Sequence, residues 1–168
     1  MPLIVLTNFS RPLVPSTSQL KVNQENIQIH DRIAEIGGSG AAVFAVTVDG
    51  WGACMKELNI DGVDPIILEA FVSEIEVLES LPYHKNVVRY LFHTRSDSKL
   101  RLFMTRYATS LTNVLKTRYK EHRYFSCAEF VKLALDIVKG LEVIHTQSIM
   151  HRDLKYVFQY FISNVKQE

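Results

Sequence analysis

The chain has 168 residues, 47% of them hydrophobic, which is long and apolar enough for one domain with a sizeable core. Its formal net charge of +1, from 19 lysines and arginines against 18 acidic residues, excludes a general electrostatic attraction to nucleic acid or to an anionic membrane. Two distant cysteines, Cys54 and Cys127, and the lack of any segment resembling a signal or a membrane span predict a soluble intracellular protein, which we expect to be cytoplasmic.

Residues 1–25 contain prolines and small polar side chains in no helical or strand period, which predicts an extended N-terminal arm. From Ile27 onward, apolar positions broken by polar ones predict a first strand, and "AAVFAVTV" predicts a second. The turn signal "DGWG" then leads to a third strand, "ACMKEL". Tight connections between three short strands indicate an antiparallel sheet.

A helix follows these three strands. Its apolar residues recur at intervals of three and four and therefore share one face: Leu68, Phe71, Ile75 and Leu78. The segments "NVVRYLFH" and "LRLFMTRY", separated by a polar turn, then predict a strand pair that extends the sheet.

The pattern becomes helical after Tyr107. Leu111 and Leu115 indicate a short helix, and residues 127–145 a long one, with Ser126 and Glu129 as its capping box. Burying a large apolar side chain stabilises a fold by roughly 1.5 to 3 kcal/mol, so we expect other residues or a partner to cover the apolar face of the long helix. That face consists of Phe130, Leu133, Ala134, Ile137, Val138, Leu141 and Ile144.

The turn between the first two strands, "EIGGSGAAVF", is rich in glycine. Such a turn lets the backbone approach a ligand closely and point its N–H groups at phosphate oxygens. The candidate phosphate-binding residues are Gly37, Gly38, Ser39 and Gly40. A flexible hairpin turn explains the same residues equally well.

Lys56 and Glu74 form a candidate ion pair. Strand alternation places Lys56 on one face with Cys54 and Leu58, and helical spacing places Glu74 on the apolar stripe that faces the sheet. Because a buried carboxylate needs a partner, Lys56 is the natural one. The alternatives are that Lys56 extends along an edge strand into water and that Glu74 lies at the wet margin of its stripe.

The polar block "HRDLK" follows the long helix. Asp153 is a candidate general base for an incoming hydroxyl, and Lys155 is a candidate for offsetting phosphate charge. Taken alone, the block is equally compatible with an ordinary surface loop.

In this order, these motifs resemble the eukaryotic protein kinase family from Ile27 to Lys155. The resemblance implies an α+β, protein-kinase-like fold. Its N-terminal lobe, residues 26–105, is β-rich, complete and contains one helix. Residues 106–168 form the first helices of an incomplete helical C-terminal lobe, so that 26–168 is a partial kinase domain.

The resemblance also implies an ATP site. Gly37 begins the glycine-rich loop, Lys56 binds the α and β phosphates, and Glu74 is the ion-pair partner of Lys56. In "LFMTRYA", Thr105 takes the gatekeeper position, and Cys54 packs against adenine. The backbone available to the adenine edge belongs to Arg106, Tyr107 and Ala108.

In the catalytic loop the resemblance makes Asp153 the base and places Lys155 at the γ phosphate, a choice typical of serine/threonine kinases. The family uses Mg²⁺, but the position of its asparagine ligand is Phe158, which has no metal-binding atom, and the nearest asparagine, Asn164, is out of register. The "DFG" motif with the second ligand is also missing.

We therefore expect an ATP-dependent protein kinase that phosphorylates Ser or Thr of protein substrates, with little activity in this truncated chain. One alternative is a pseudokinase-like fragment that binds ATP or docks on a partner without catalysis. The other is an incomplete product without a folded role.

Overall fold

The structure, a computed structural model, describes residues 26–36 and 40–151. The predicted N-terminal arm, residues 37–39 of the glycine-rich turn and the segment from residue 152 onward lie outside the described residues.

Five strands form one antiparallel sheet with the order β1-β2-β3-β5-β4. The strands are β1 (Ile27–Ile36), β2 (Ala41–Val48), β3 (Trp51–Asn59), β4 (Tyr90–Arg95) and β5 (Lys99–Thr105). The β2–β3 hairpin turns at Asp49 and Gly50, whose φ angles are 48° and 80°. Positive φ at both central residues matches the twist of the flanking strands, which is why Asp-Gly is favoured there.

Helix α1 (Pro65–Ser80) begins where Asp64 caps it by accepting a hydrogen bond from the N–H of Ile66 at 2.8 Å. Proline in the first turn costs the helix no hydrogen bond. The predicted apolar stripe is buried at Phe71, Ile75 and Leu78.

Strand β4 starts later than the sequence suggested. The apolar pair Val87–Val88 precedes it, and Val87 instead closes a turn in which its N–H donates to the carbonyl of His84. Pairing with β5 begins at Tyr90 and contains an irregularity before Phe92. The apolar run alone did not distinguish the turn from the strand.

The two faces of the sheet are distinct. We call one the Met55 face; its buried cluster comprises Val46, Val48, Ala53, Met55 and Phe103. Phe92 of β4 stacks on Phe103 with ring centroids 4.3 Å apart. The opposite face, which we call the Lys56 face, bears the side chain that reaches α1.

The described residues divide into two compact units. The sheet unit holds residues 26–36, 40–83 and 88–107, and the helical unit holds 84–87 and 108–151. The helical unit contains α2 (Leu111–Lys120) and α3 (Cys127–Thr146). Sheet and helices together make the fold α+β, as predicted.

The core of the helical unit is built on α3. Leu133 and Ile137 are buried, and residues packed against them come from both helices: Leu111, Leu115, Phe130 and Leu141. Val138 does not join this face and is 55% exposed. Val138 lies instead with Val131 and Leu135, four and three residues apart, on a neighbouring stripe that is exposed. The prediction that Val138 belongs to the covered face was wrong, because a spacing of three and four also fits the edge of the apolar face.

Within the described ranges, no helix has the length and apolar character needed to cross a membrane.

Candidate functional site

The predicted ion pair is present. Lys56 on β3 and Glu74 on α1 approach to 2.5 Å between Nζ and Oε2, with side-chain exposures of 6% and 20%. Lys56 therefore does not extend into water, and Glu74 does not lie at a wet margin. Removing either partner would leave an uncompensated charge in a desolvated setting, which would destabilise the folded protein.

A second residue of α1 also holds the lysine. Lys56 Nζ lies 5.1 Å from the ring centroid of Phe71, one helical turn before Glu74. Glu74 Oε1 is buried and has no hydrogen-bond partner among the described residues. Because an ammonium group has three donors, Lys56 can bind an anionic oxygen while it keeps Glu74.

The register shows which side chains share the Lys56 face. Residues directly opposite each other on neighbouring strands project to the same side. Val43 lies opposite Lys56, and Cys54 lies between Ala45 and Met104. Lys56 thus adds one buried cation to a mainly apolar surface, an arrangement that suits a ligand with a flat apolar part and an anionic part.

Sequence reasoning missed Val43 and Met104. Alternation within one strand groups residues of that strand, but it does not show which residues of β2 and β5 lie beside them. The signal that finds them is the antiparallel register, which pairs Val43 with Lys56 and Met104 with Cys54.

Thr105 differs from the expectation. It pairs with Ala53, so its side chain lies on the Met55 face, and Met104 is the residue on the Lys56 face. The Thr105 carbonyl accepts a weak hydrogen bond from the thiol of Cys54, with 3.8 Å between Sγ and O. After Thr105 the strand ends, and Arg106 and Tyr107 are half-buried.

Burial keeps two neighbouring acids protonated. Desolvation raises the pKa of the Cys54 thiol to about 11, although the charge of Arg106 partly offsets it. Desolvation, followed by the proximity of Tyr83, raises the pKa of Tyr107 to about 12. Both groups are neutral near pH 7, and Lys56 supplies the positive charge on its face.

The other predicted residues are not brought together by the described structure. Gly40, in the turn immediately before β2, is exposed with φ of 64°, a conformation that favours glycine. Ala108 belongs to the helical unit and is exposed. Outside the described residues lie Gly37, Gly38, Ser39, Asp153, Lys155 and Phe158. Within residues 26–36 and 40–151, no three His, Cys, Asp or Glu residues are grouped so that they could hold a metal ion.

Known proteins share this sequence pattern. The chain is 42% identical over 121 residues to "Kinase and exchange factor for Rac B" of Dictyostelium discoideum, a match that covers 71% of this chain and 10% of that protein. It is 27% identical over 142 residues to "Serine/threonine-protein kinase STY17" of Arabidopsis thaliana, covering 83% and 24%. It is 31% identical over 87 residues to "Serine/threonine/tyrosine-protein kinase HT1" of the same plant, covering 52% and 22%.

The chain thus spans between about a tenth and a quarter of the length of these relatives. The family model described as "Protein kinase domain" matches residues 31–157. This range includes the second half of β1, the other four strands, α1, both helices of the helical unit and "HRDLK". The chain belongs to the protein kinase family.

Proposed function

We propose that the chain binds ATP on the Lys56 face and that the protein to which it belongs transfers the γ-phosphoryl group to Ser or Thr of protein substrates. The observation that carries the proposal is the buried Lys56–Glu74 pair on a face it shares with Cys54 and Met104. A fixed ammonium group can bind phosphate oxygens there, and the apolar neighbours can pack against a purine.

The residues around the pair supply the remaining contacts of the proposed site. Val43, Cys54 and Met104 pack against the base, and the backbone after Thr105 offers hydrogen bonds to its edge. These backbone groups belong to Arg106, Tyr107 and Ala108. The glycine-rich turn supplies N–H groups to the phosphates from Gly37, Gly38, Ser39 and Gly40.

In the proposed reaction, Asp153 accepts the proton of the incoming hydroxyl and Lys155 binds the γ phosphate. Bound Mg²⁺ would neutralise charge between the β and γ phosphates. The residue five positions after Asp153 is Phe158, which has no oxygen or nitrogen in its side chain to coordinate this ion. The residues present therefore do not fit the metal at that position.

Ser/Thr specificity is proposed from two observations. Lys155 stands two residues after the proposed base, and the STY17 relative is named a serine/threonine kinase. The HT1 relative is named for tyrosine as well, so phosphoamino-acid analysis of a phosphorylated protein substrate has to decide between the two.

A second candidate is an ATP-binding or regulatory domain that docks on a partner without transferring phosphate. Phe158 favours it, because phosphoryl transfer in this family depends on metal ions that need oxygen ligands. The kinase candidate and an ATP-binding form of the second candidate both require nucleotide binding on the Lys56 face, and they differ in transfer. A regulatory domain that only docks on a partner requires neither.

The test compares thermal unfolding with and without ATP for the wild-type chain and for Lys56→Met. The control is Lys132→Met, which removes an exposed lysine of α3. At an ATP concentration of 100 Kd, we expect stabilisation by about 2.7 kcal/mol in the wild type and in the control. Lys56→Met should lose most of this shift, measured from its own baseline because the substitution also leaves Glu74 unpaired.

Transfer is measured separately with γ-labelled ATP, Mg²⁺ and a mixed protein substrate such as casein. Label on Ser or Thr supports the kinase proposal, and label on Tyr contradicts its specificity. A nucleotide shift without label supports the binding candidate. The absence of a shift in the wild-type chain contradicts both the kinase proposal and the ATP-binding candidate, and leaves only a regulatory domain that docks on a partner.

A further inference from the structure

The position of α1 determines whether Lys56 and Glu74 meet. Both α1 residues that hold the lysine, Phe71 and Glu74, move with the helix. The buried side chains of α1 are apolar: Phe71, Ile75 and Leu78. Apolar burial is not directional, so it holds a helix close without fixing its rotation or its displacement along its axis.

A polar link joins the last turn of α1 to β4. The hydroxyl of Tyr90 donates to Glu79 Oε1 at 3.4 Å. A carboxylate in the last turn of a helix is disfavoured by the helix dipole, and this turn contains no basic residue. Glu79 therefore does not stabilise the isolated helix, and its hydrogen bond to β4 is a contact of the tertiary structure.

Tyr90 is itself held by His93. Its hydroxyl lies 2.8 Å from Nδ1 of His93, two residues beyond the irregularity in β4. A tyrosine hydroxyl has one proton, and an ionised carboxylate can only accept. When both bonds are made, His93 donates from Nδ1–H to Tyr90 and Tyr90 donates to Glu79. The three side chains thus form a directed chain from β4 to α1.

Burial, the charge of Glu79 and the hydrogen bond to it raise the pKa of Tyr90 to about 12. Tyr90 therefore keeps its proton across the physiological range and remains the donor to Glu79.

We propose that Tyr90 is a positioning residue: it fixes the C-terminal turn of α1 to β4 and thereby keeps Glu74 in reach of Lys56. The hydrogen bond from the Tyr90 hydroxyl is directional and restricts the rotation of α1, which its apolar contacts do not. The effect on α1 stands on the contacts themselves, and only its consequence for ATP binding rests on the proposed function.

The experiment replaces Tyr90 by Phe in the full chain, which removes the hydroxyl and keeps the ring. The matched control is Tyr119→Phe, which removes the hydroxyl of a tyrosine that is 66% exposed on α2. Hydrogen–deuterium exchange of α1 peptides measures how often the helix opens. Loss of the hydrogen bond to Glu79 predicts exchange about three- to fivefold faster along α1 in Tyr90→Phe, with α3 unchanged.

ATP affinity is measured in the same variants and in a Glu74→Gln background. Tyr90→Phe should weaken ATP binding by about three- to fivefold. If Tyr90 acts through Glu74, the same substitution has little further effect once Glu74 is replaced by Gln. A residue that only contributes to overall stability would not show this dependence.

Unchanged exchange along α1, or an equal increase in α1 and α3, overturns the inference. It is equally overturned if Tyr90→Phe weakens ATP binding as much in Glu74→Gln as in the wild-type chain. Should the wild-type chain not bind ATP, the proposed function fails, and the α1 exchange rates still decide whether Tyr90 positions the helix.

Discussion

Met104 and Thr105 are adjacent on β5, and the register sends their side chains to opposite faces of the sheet. Met104 lies opposite Cys54 on the Lys56 face, and Thr105 lies opposite Ala53 on the Met55 face. Both side chains are buried, with 3% of their surface exposed. The hydroxyl Oγ1 of Thr105 has no hydrogen-bond partner among the described residues.

Thr105→Val should therefore stabilise the protein. Valine keeps the branched shape and removes a buried hydroxyl whose missing hydrogen bond costs about 1 to 3 kcal/mol. We expect the free energy of unfolding in denaturant to rise by about that amount. Because residue 105 is on the other face of the sheet, ATP affinity should stay unchanged.

The control for this substitution is Thr117→Val at an exposed position of α2, for which we expect a change below about 0.5 kcal/mol. A loss of stability in Thr105→Val would mean that the hydroxyl has a partner. Weaker ATP binding would mean that the side chain faces the ligand.

At the scale of elements, the start of α3 shows how local and tertiary contacts combine. Ser126 and Glu129 form the capping box that their spacing predicts. The other carboxylate oxygen of Glu129 accepts from Arg118 of α2 at 2.7 Å, and the guanidinium of Arg118 lies 4.1 Å from the ring centroid of Phe125. The sequence pattern revealed the cap but not the arginine, because α2 must first fold back beside α3.

This contact makes α3 sensitive to acid. The hydrogen bond from Arg118, followed by that from the Ser126 backbone, lowers the pKa of Glu129 from 4.5 to about 2. A carboxyl group whose pKa is lowered on folding stabilises the native state above its unfolded pKa. This contribution should be complete above about pH 5 and lost as the pH falls from 4.5 toward 2.

Glu129→Gln tests this by removing the charge and keeping a residue type that suits the capping box. Urea unfolding should show the variant to be less stable than the wild-type chain at pH 6, and most of the difference should be lost as the pH falls toward 2. Glu142→Gln, at an exposed position later in the same helix, controls for loss of one negative charge. A difference that persists unchanged at pH 2 would contradict the assignment.

At the scale of the whole molecule, each compact unit has its own buried cluster. The sheet unit packs around Met55 and Phe103, and the helical unit packs around Leu133 and Ile137. Leu133 and Leu135 are two residues apart on α3, yet 1% and 49% of their surfaces are exposed. Helix rotation, about 100° for each residue, separates them.

Leu133→Ala should lower the free energy of unfolding by about 2 to 5 kcal/mol, because it removes contacts and leaves a cavity. Leu135→Ala makes the same chemical change at an exposed position and should cost less than about 1 kcal/mol. Denaturant titration followed by circular dichroism measures the free energy of unfolding of both variants. Equal losses would show that Leu135 is covered in solution.

Most elements of the fold were predictable because their signals are local. The β2–β3 turn needs positive φ, which Asp-Gly tolerates, and α3 needs a cap, which Ser126 and Glu129 supply. The start of β4 was less predictable, since Val87 has strand propensity but closes a turn. In the candidate site, Lys56 and Glu74 were predictable because a charge on an apolar face requires a partner.

The sequence by itself determined the α+β order of elements, because periodicity and caps are properties of short segments. Its motifs indicated the family by resemblance, and its charges predicted the pairing of Lys56 with Glu74, which the structure contains. Only the tertiary structure decided that Met104, and not Thr105, shares the Lys56 face, and that Tyr90 links Glu79 to His93. The physical reason is that register and helix placement depend on contacts between residues far apart in the chain. The sequence of one strand or helix does not specify which segment packs beside it.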